Sequence, residues 1–189
     1  MPRAHLRRRY ALPAFAAAGL TALAACSGHG ASTAPATTAP TPPAVTPSTA
    51  AADAQALAAY RAAFANWTAV EAPASKADYQ NPRLNNHLSG DAYTQIYNDV
   101  FINTNVNGVS VRGAPVLLHP NVVNSTPSGN PFQVLVADCV QTSTWTPVNA
   151  AGKPDAGSPG GRQLTQALVA NLGGTWKVSD LIMMEPGSC

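Results

Sequence analysis

From about residue 53 the chain runs through two hydrophobic periods. Leu57, Tyr60, Phe64 and Trp67 recur three or four positions apart. That spacing predicts an amphipathic helix from Asp53 to about Glu71, capped by Asp53 and stopped by Pro73. Asn81-Pro82 opens a short second helix through Leu88, and Ser89-Gly90 breaks it. Asp91 starts a third helix, with Tyr93, Ile96, Tyr97, Val100 and Phe101 on one face. After the turn signal Asn107-Gly108 the period falls to two. Strands are predicted at Val109 to Arg112, at Pro115 to Val123 with a bend at Pro120, and at Phe132 to Trp145. In the last of these, Phe132, Val134, Val136, Asp138 and Val140 share one face, while Leu135, Ala137 and Cys139 share the other. A Pro/Gly loop from Pro147 to Gly161 precedes a strand at Gln163 to Leu172. Gly173-Gly174 reads as a two-residue hairpin turn into a final strand at Thr175 to Met184.

Helices first and an antiparallel meander afterwards make this an α+β chain. The expected architecture is three N-terminal helices packed on a curved antiparallel sheet of about five strands, spanning residues 52–189.

The preceding residues follow a different logic. Residues 1–25 read as an export signal: a basic stretch with Arg3, Arg7, Arg8 and Arg9, then an apolar run too short and too interrupted by Pro13 and Gly19 to span a membrane. Leu23-Ala24-Ala25-Cys26 resembles a bacterial lipobox, in which the cysteine becomes the lipidated first residue of the mature protein. Residues 26–51 then form a linker in which Pro35, Pro40, Pro42, Pro43 and Pro47 alternate with Thr, Ser and Ala and no residue is charged. Such a segment cannot bury enough apolar surface to fold, and its prolines favour extended chain.

Composition alters this picture in two places. Four of the 11 Lys/Arg precede Cys26, so seven basic side chains face nine acidic ones beyond it, a balance near −2. A nucleic-acid partner would need a clustered basic face, and none is present. Of the three cysteines, Cys26 belongs to the lipobox. Cys139 and Cys189 remain, an even pair expected to form a disulfide in an exported chain.

The order of elements resembles the cone of the nuclear transport factor 2-like superfamily, which includes the ketosteroid isomerases. More narrowly, the chain is similar to a family of actinobacterial secreted lipoproteins without an established activity. The residues that carry this are Tyr60-Arg61-Ala62-Ala63-Phe64 with Trp67, Val111-Arg112-Gly113, Gly129-Asn130-Pro131, Asp138-Cys139-Val140, Pro159-Gly160-Gly161-Arg162 and Gly174-Thr175-Trp176-Lys177-Val178, with the ending Glu185-Pro186-Gly187-Ser188-Cys189. The superfamily resemblance implies a cone able to hold a small apolar ligand, or an interior acid working with a tyrosine. No catalytic motif of the isomerases matches residue by residue.

Candidate chemistry is sparse. There is no H-E-x-x-H, G-x-S-x-G, P-loop or G-x-G-x-x-G. No cofactor or metal is expected, because His87 and His119 have no accompanying acids. His87 reads as a solvated side chain in a polar helix, and His119 as the mark of the bend before Pro120. Asp138 is the one candidate catalytic residue. It reads first as a structural acid bonded to an Arg or to backbone groups, and second as an acid/base. Tyr60, Phe64, Trp67, Tyr93 and Tyr97 with Asp138 are the candidate pocket lining, although aromatics at helical spacing are more often plain core. Asp180 could pair across the sheet with Arg112 or Arg162.

These features describe a membrane-anchored extracytoplasmic lipoprotein with a non-catalytic domain that binds a small apolar ligand or another envelope protein. The alternatives are an isomerase- or hydratase-like enzyme using Asp138, and a purely structural envelope domain.

Overall fold

Strict alternation along one segment builds the centre of the molecule. In β4 (Gln133–Gln141), Val134, Val136, Asp138 and Val140 are buried and the residues between them are half-buried. Each buried valine contributes about 1.5–3 kcal/mol relative to an exposed one. The structure is a computed structural model that describes residues 49–72, 79–154 and 160–189. Cys26, the export signal and nearly all of the linker lie outside the described residues.

The elements follow in the order α1 (Thr49–Glu71), α2 (Arg83–His87), α3 (Gly90–Phe101), a π-helical turn (Ile102–Val106), β1 (Ser110–Arg112), β2 (Val116–Leu117), β3 (Asn121–Thr126), β4, β5 (Thr146–Val148), β6 (Arg162–Leu172) and β7 (Thr175–Met183). The main sheet is curved and antiparallel, in the order β2-β4-β6-β7, with β3 also paired to β4. The short strands β1 and β5 form a separate antiparallel pair. α1 lies across β4, β6 and β7, and α3 packs on β7. This is the α+β class expected from the sequence, helices on one sheet.

α1 begins a turn before Asp53, which therefore does not cap it. The Asp53 carboxylate instead accepts a 2.5 Å hydrogen bond from Ser125 Oγ and ties the helix to β3. The buried side of α1 includes Ala52, Ala56, Ala59 and Ala63 beside Tyr60, Phe64 and Trp67, while Leu57 is only partly buried. Alanines along that side let the helix axis come close to the strands, and the large rings fill what remains. In α3 the buried stripe is Ala92, Ile96 and Val100. Tyr93 packs half-buried against the edge of the core, Tyr97 is half-buried and Phe101 is 38% exposed, so the aromatic members of the expected face lie at the margin of the core rather than inside it.

The strand expected at Pro115 to Val123 is two strands. Both pair with β4, and the chain breaks between Leu117 and Asn121 around Pro120, which has no N–H to donate to a ladder. The strand expected to reach Trp145 ends at Gln141. A turn follows, with Trp145 N–H donating to the Thr142 carbonyl at 2.9 Å, and the chain leaves the main sheet to pair with β1. Gly113 makes this approach possible: a Cβ there would stand 1.9 Å from the Thr144 carbonyl oxygen, and its φ is +84°. The Gly173-Gly174 turn joins β6 to β7, with both residues at positive φ.

The register of β6 and β7 shifts between Leu168 and Val169, and Ser179 is the extra residue on β7. The bulge lies where the α2–α3 junction docks. There Ser89 N–H donates to the Val178 carbonyl at 2.9 Å, and Leu88 forms an isolated parallel bridge with Val178.

Candidate functional site

Asp138 sits on the buried face of β4, opposite Thr165 of β6. It is 3% exposed. Two groups from different parts of the chain take its oxygens. The Tyr60 hydroxyl on α1 donates to Oδ2 at 3.2 Å, and the His119 backbone N–H donates to Oδ1 at 2.8 Å. Burial raises the Asp138 pKa above its ordinary value; the His119 N–H and the Tyr60 hydroxyl offset part of the rise. The Tyr60 phenol is driven far above its ordinary range, first by burial and then by the neighbouring carboxylate. The partners of Asp138 are thus a phenol and backbone groups, with no arginine. His119 contributes its main chain from the break between β2 and β3, while its side chain is exposed.

The aromatic residues read from the sequence as pocket lining separate into different places. Tyr60 is completely buried and meets Phe64 edge-on at 5.1 Å, so it fills the concave face of the sheet above Asp138. Phe64 lines an outward groove of about 370 Å³ with Arg61, Thr68 and Leu117. Tyr93 and Tyr97 meet at a tilt, and Tyr79 packs edge-on against Tyr97 and Phe101, forming a second aromatic cluster on α3. Of the six candidates, only Tyr60 and Asp138 are brought into mutual hydrogen bonding.

Trp67 leads to a site that the sequence reading missed. At the C-terminal end of α1, Trp67 and Glu71 face Asp99 of α3, Asn103 of the π-helical turn, Val111 of β1, and Trp145 and Pro147 from the turn and strand β5, around a pocket of about 170 Å³. Glu71 is the deepest acid here, 3% exposed. Burial pushes its pKa up to about 7, and the charge of Asp99 adds to the rise. The Trp67 indole and the Asn103 amide offset part of it, although the indole N–H comes near the carboxyl without completing a hydrogen bond. Glu71 is four positions after Trp67, hence on the same helix face. That spacing was the available signal, but Glu71 reads as a polar helix end unless β1 and β5 are known to cover it.

Cys139 and Cys189 are joined by a disulfide with Cα atoms 6.0 Å apart. The tail reaches Cys139 after Met184 N–H and Gly187 N–H bond to the carbonyls of Leu164 and Arg162 on β6, and after Leu164 N–H bonds to Ser188 Oγ. Asp180 faces neither expected arginine. Arg112 lies on the two-stranded sheet, with Nη2 donating to the Gly152 carbonyl, and the register partner of Asp180 is Leu168, far along β6 from Arg162. His87 is half-buried, with an unpartnered Nδ1. Among the described residues, no group of three or more His, Cys, Asp or Glu could hold a metal ion. No helix among them is long and apolar enough to cross a membrane.

No protein-family model matches the chain, and no curated protein matches it. Among solved structures, the chain is similar to the intermembrane-space region of the chloroplast protein ARC6, with a TM-score of 0.51 and 12% identity, over 70% of this chain and 95% of that one. At that identity the likeness is one of fold.

Proposed function

We propose that this chain is a lipid-anchored extracytoplasmic lipoprotein whose nuclear transport factor 2-like domain is a non-catalytic binding or accessory module. The engagement of Asp138 carries the non-catalytic part. An acid/base must be reached by its substrate, yet Asp138 is 3% exposed, bound by the Tyr60 hydroxyl and the His119 N–H, inside a face filled by Tyr60. The isomerase-like alternative draws on the same Tyr60–Asp138 pair but needs substrate to reach a carboxyl that is 3% exposed. Placement outside the cytoplasm is supported by the lipobox-like stretch ending at Cys26 and by the Cys139–Cys189 disulfide, which persists in oxidising compartments. A chain of similar fold that is itself an intermembrane-space region is compatible with that placement.

The anchor is tested on the full chain expressed in a bacterium that processes lipoproteins. Mass spectrometry of membrane-extracted protein should find a diacylglyceryl group on Cys26, since two acyl chains give stable anchoring where one is marginal. Cys26→Ser should move the protein to the soluble fraction. A water-soluble wild-type product beginning at another residue would overturn the reading.

A further inference from the structure

The Trp67–Glu71 pocket has the parts of a receptor for a small positively charged ligand. Trp67 and Trp145 meet edge-on, with ring centroids 4.6 Å apart and planes at 84°, so they stand as adjacent walls at a near right angle. Trp67 is 8% exposed, and the indole nitrogens of both tryptophans are buried without a hydrogen-bond partner. An orphaned buried donor is costly, and most such groups in folded proteins are satisfied. The pocket also holds two carboxyl groups, Glu71 inside and Asp99 at the exposed rim. Among the described residues, the lining from β1, the β5 region and the π-helical turn is Val111, Trp145, Pro147 and Asn103, none of them titratable. Arg112, next to Val111, turns to the Gly152 carbonyl. The π-helical turn is part of the construction: it closes with Asn107 N–H donating to the Ile102 carbonyl at 3.0 Å, and it carries Asn103 to the pocket. Such turns occur often at functional sites.

We infer that this pocket binds a small organic cation, an ammonium group on a few carbons that also bears a hydrogen-bond acceptor. The π-faces and the Glu71 carboxylate stabilise the positive charge, as in aromatic cages that hold quaternary ammonium groups. The acceptor takes one of the two indole N–H groups that the protein leaves unpaired. The pocket, about 170 Å³, is small and open to solvent on one side, which suits a ligand of a few heavy atoms. The assignment rests on reading the domain as a binding module and adds the ligand's chemical class.

The test titrates the folded, oxidised chain with choline chloride, following tryptophan fluorescence and calorimetric heat. The control is the neutral alcohol in which carbon replaces choline's nitrogen. Choline should bind and perturb the tryptophan emission, and the neutral alcohol should bind about tenfold more weakly or not at all. Glu71→Gln and Trp145→Leu should each weaken choline by about tenfold, while Trp145→Phe, which keeps a π-face, should lose less. Circular dichroism checks that each variant is folded. Affinity for choline should rise as pH rises through the Glu71 pKa, because the cation binds the ionised carboxylate. Equal binding of the neutral alcohol would overturn the cation assignment and leave the binding-module reading standing. No response to either probe at millimolar concentration would overturn the site itself, while the anchoring experiment would still report separately on the lipoprotein reading.

Discussion

Tyr60 and Asp138 are 78 positions apart in the chain, yet the Tyr60 hydroxyl donates to the Asp138 carboxylate at 3.2 Å in the interior. The bond joins the first helix to the central strand of the sheet. Tyr60→Phe keeps the ring and removes the donor, leaving one buried carboxylate oxygen without this partner. It should lower stability by about 1–3 kcal/mol, measured by urea unfolding near neutral pH. No measurable loss would mean that the bond adds nothing beyond the packing of the ring.

Asp138→Asn probes the charge at the same place. Its amide oxygen can still accept from His119 N–H, and its nitrogen can donate to the Tyr60 oxygen, so the fold should persist. Because burial raises the Asp138 pKa in the fold, its contribution to stability is whole below the ordinary carboxyl value and is lost as pH rises through the folded value. The variant should show a flatter stability profile than the wild type across the acidic range. Parallel profiles would show that Asp138 does not titrate differently on folding.

Glu71 should show the same sign at higher pH. Its folded pKa of about 7 stands above the ordinary 4.5. The wild type should therefore lose up to about 3 kcal/mol relative to Glu71→Gln as pH rises through that interval. Unfolding midpoints of the two proteins at acidic and alkaline pH measure the difference. A constant difference across that range would remove the case for a desolvated carboxyl.

Reduction should matter. The Cys139–Cys189 bridge closes a sequence separation of 50, which in the chain-entropy model is worth about 4 kcal/mol. Double replacement by alanine should lower the urea midpoint markedly, and reductant should lower it only in the wild type. A wild type insensitive to reductant would indicate that the tail is held by its hydrogen bonds to β6 alone.

Gly113→Ala tests the junction that carries Trp145 to the pocket. Its Cβ would stand 1.9 Å from the Thr144 carbonyl oxygen, and its backbone is left-handed at φ +84°. The substitution should cost more than about 1 kcal/mol and should weaken choline binding with it. A variant of wild-type stability would mean that β1 and β5 separate at little cost.

Local rules placed most of the elements. Alternation set the buried face of β4, helical spacing located α1 and α3, and paired glycines marked the β6–β7 turn, because each depends on residues only a few positions apart. Cysteine count alone left Cys139 and Cys189 as the pair beyond Cys26. The tertiary structure decided what depends on distant chain. It ended β4 at Gln141 so that β5 could pair with β1, which brought Trp145 against Trp67 and covered Glu71. It chose Tyr60 and the His119 main chain as partners of Asp138, and it set Tyr97 between Tyr79 and Tyr93. A sequence pattern states which side of an element is apolar. Which carboxyl is desolvated, and by whom, follows from elements brought together across long separations, where loop closure and packing outweigh local preference.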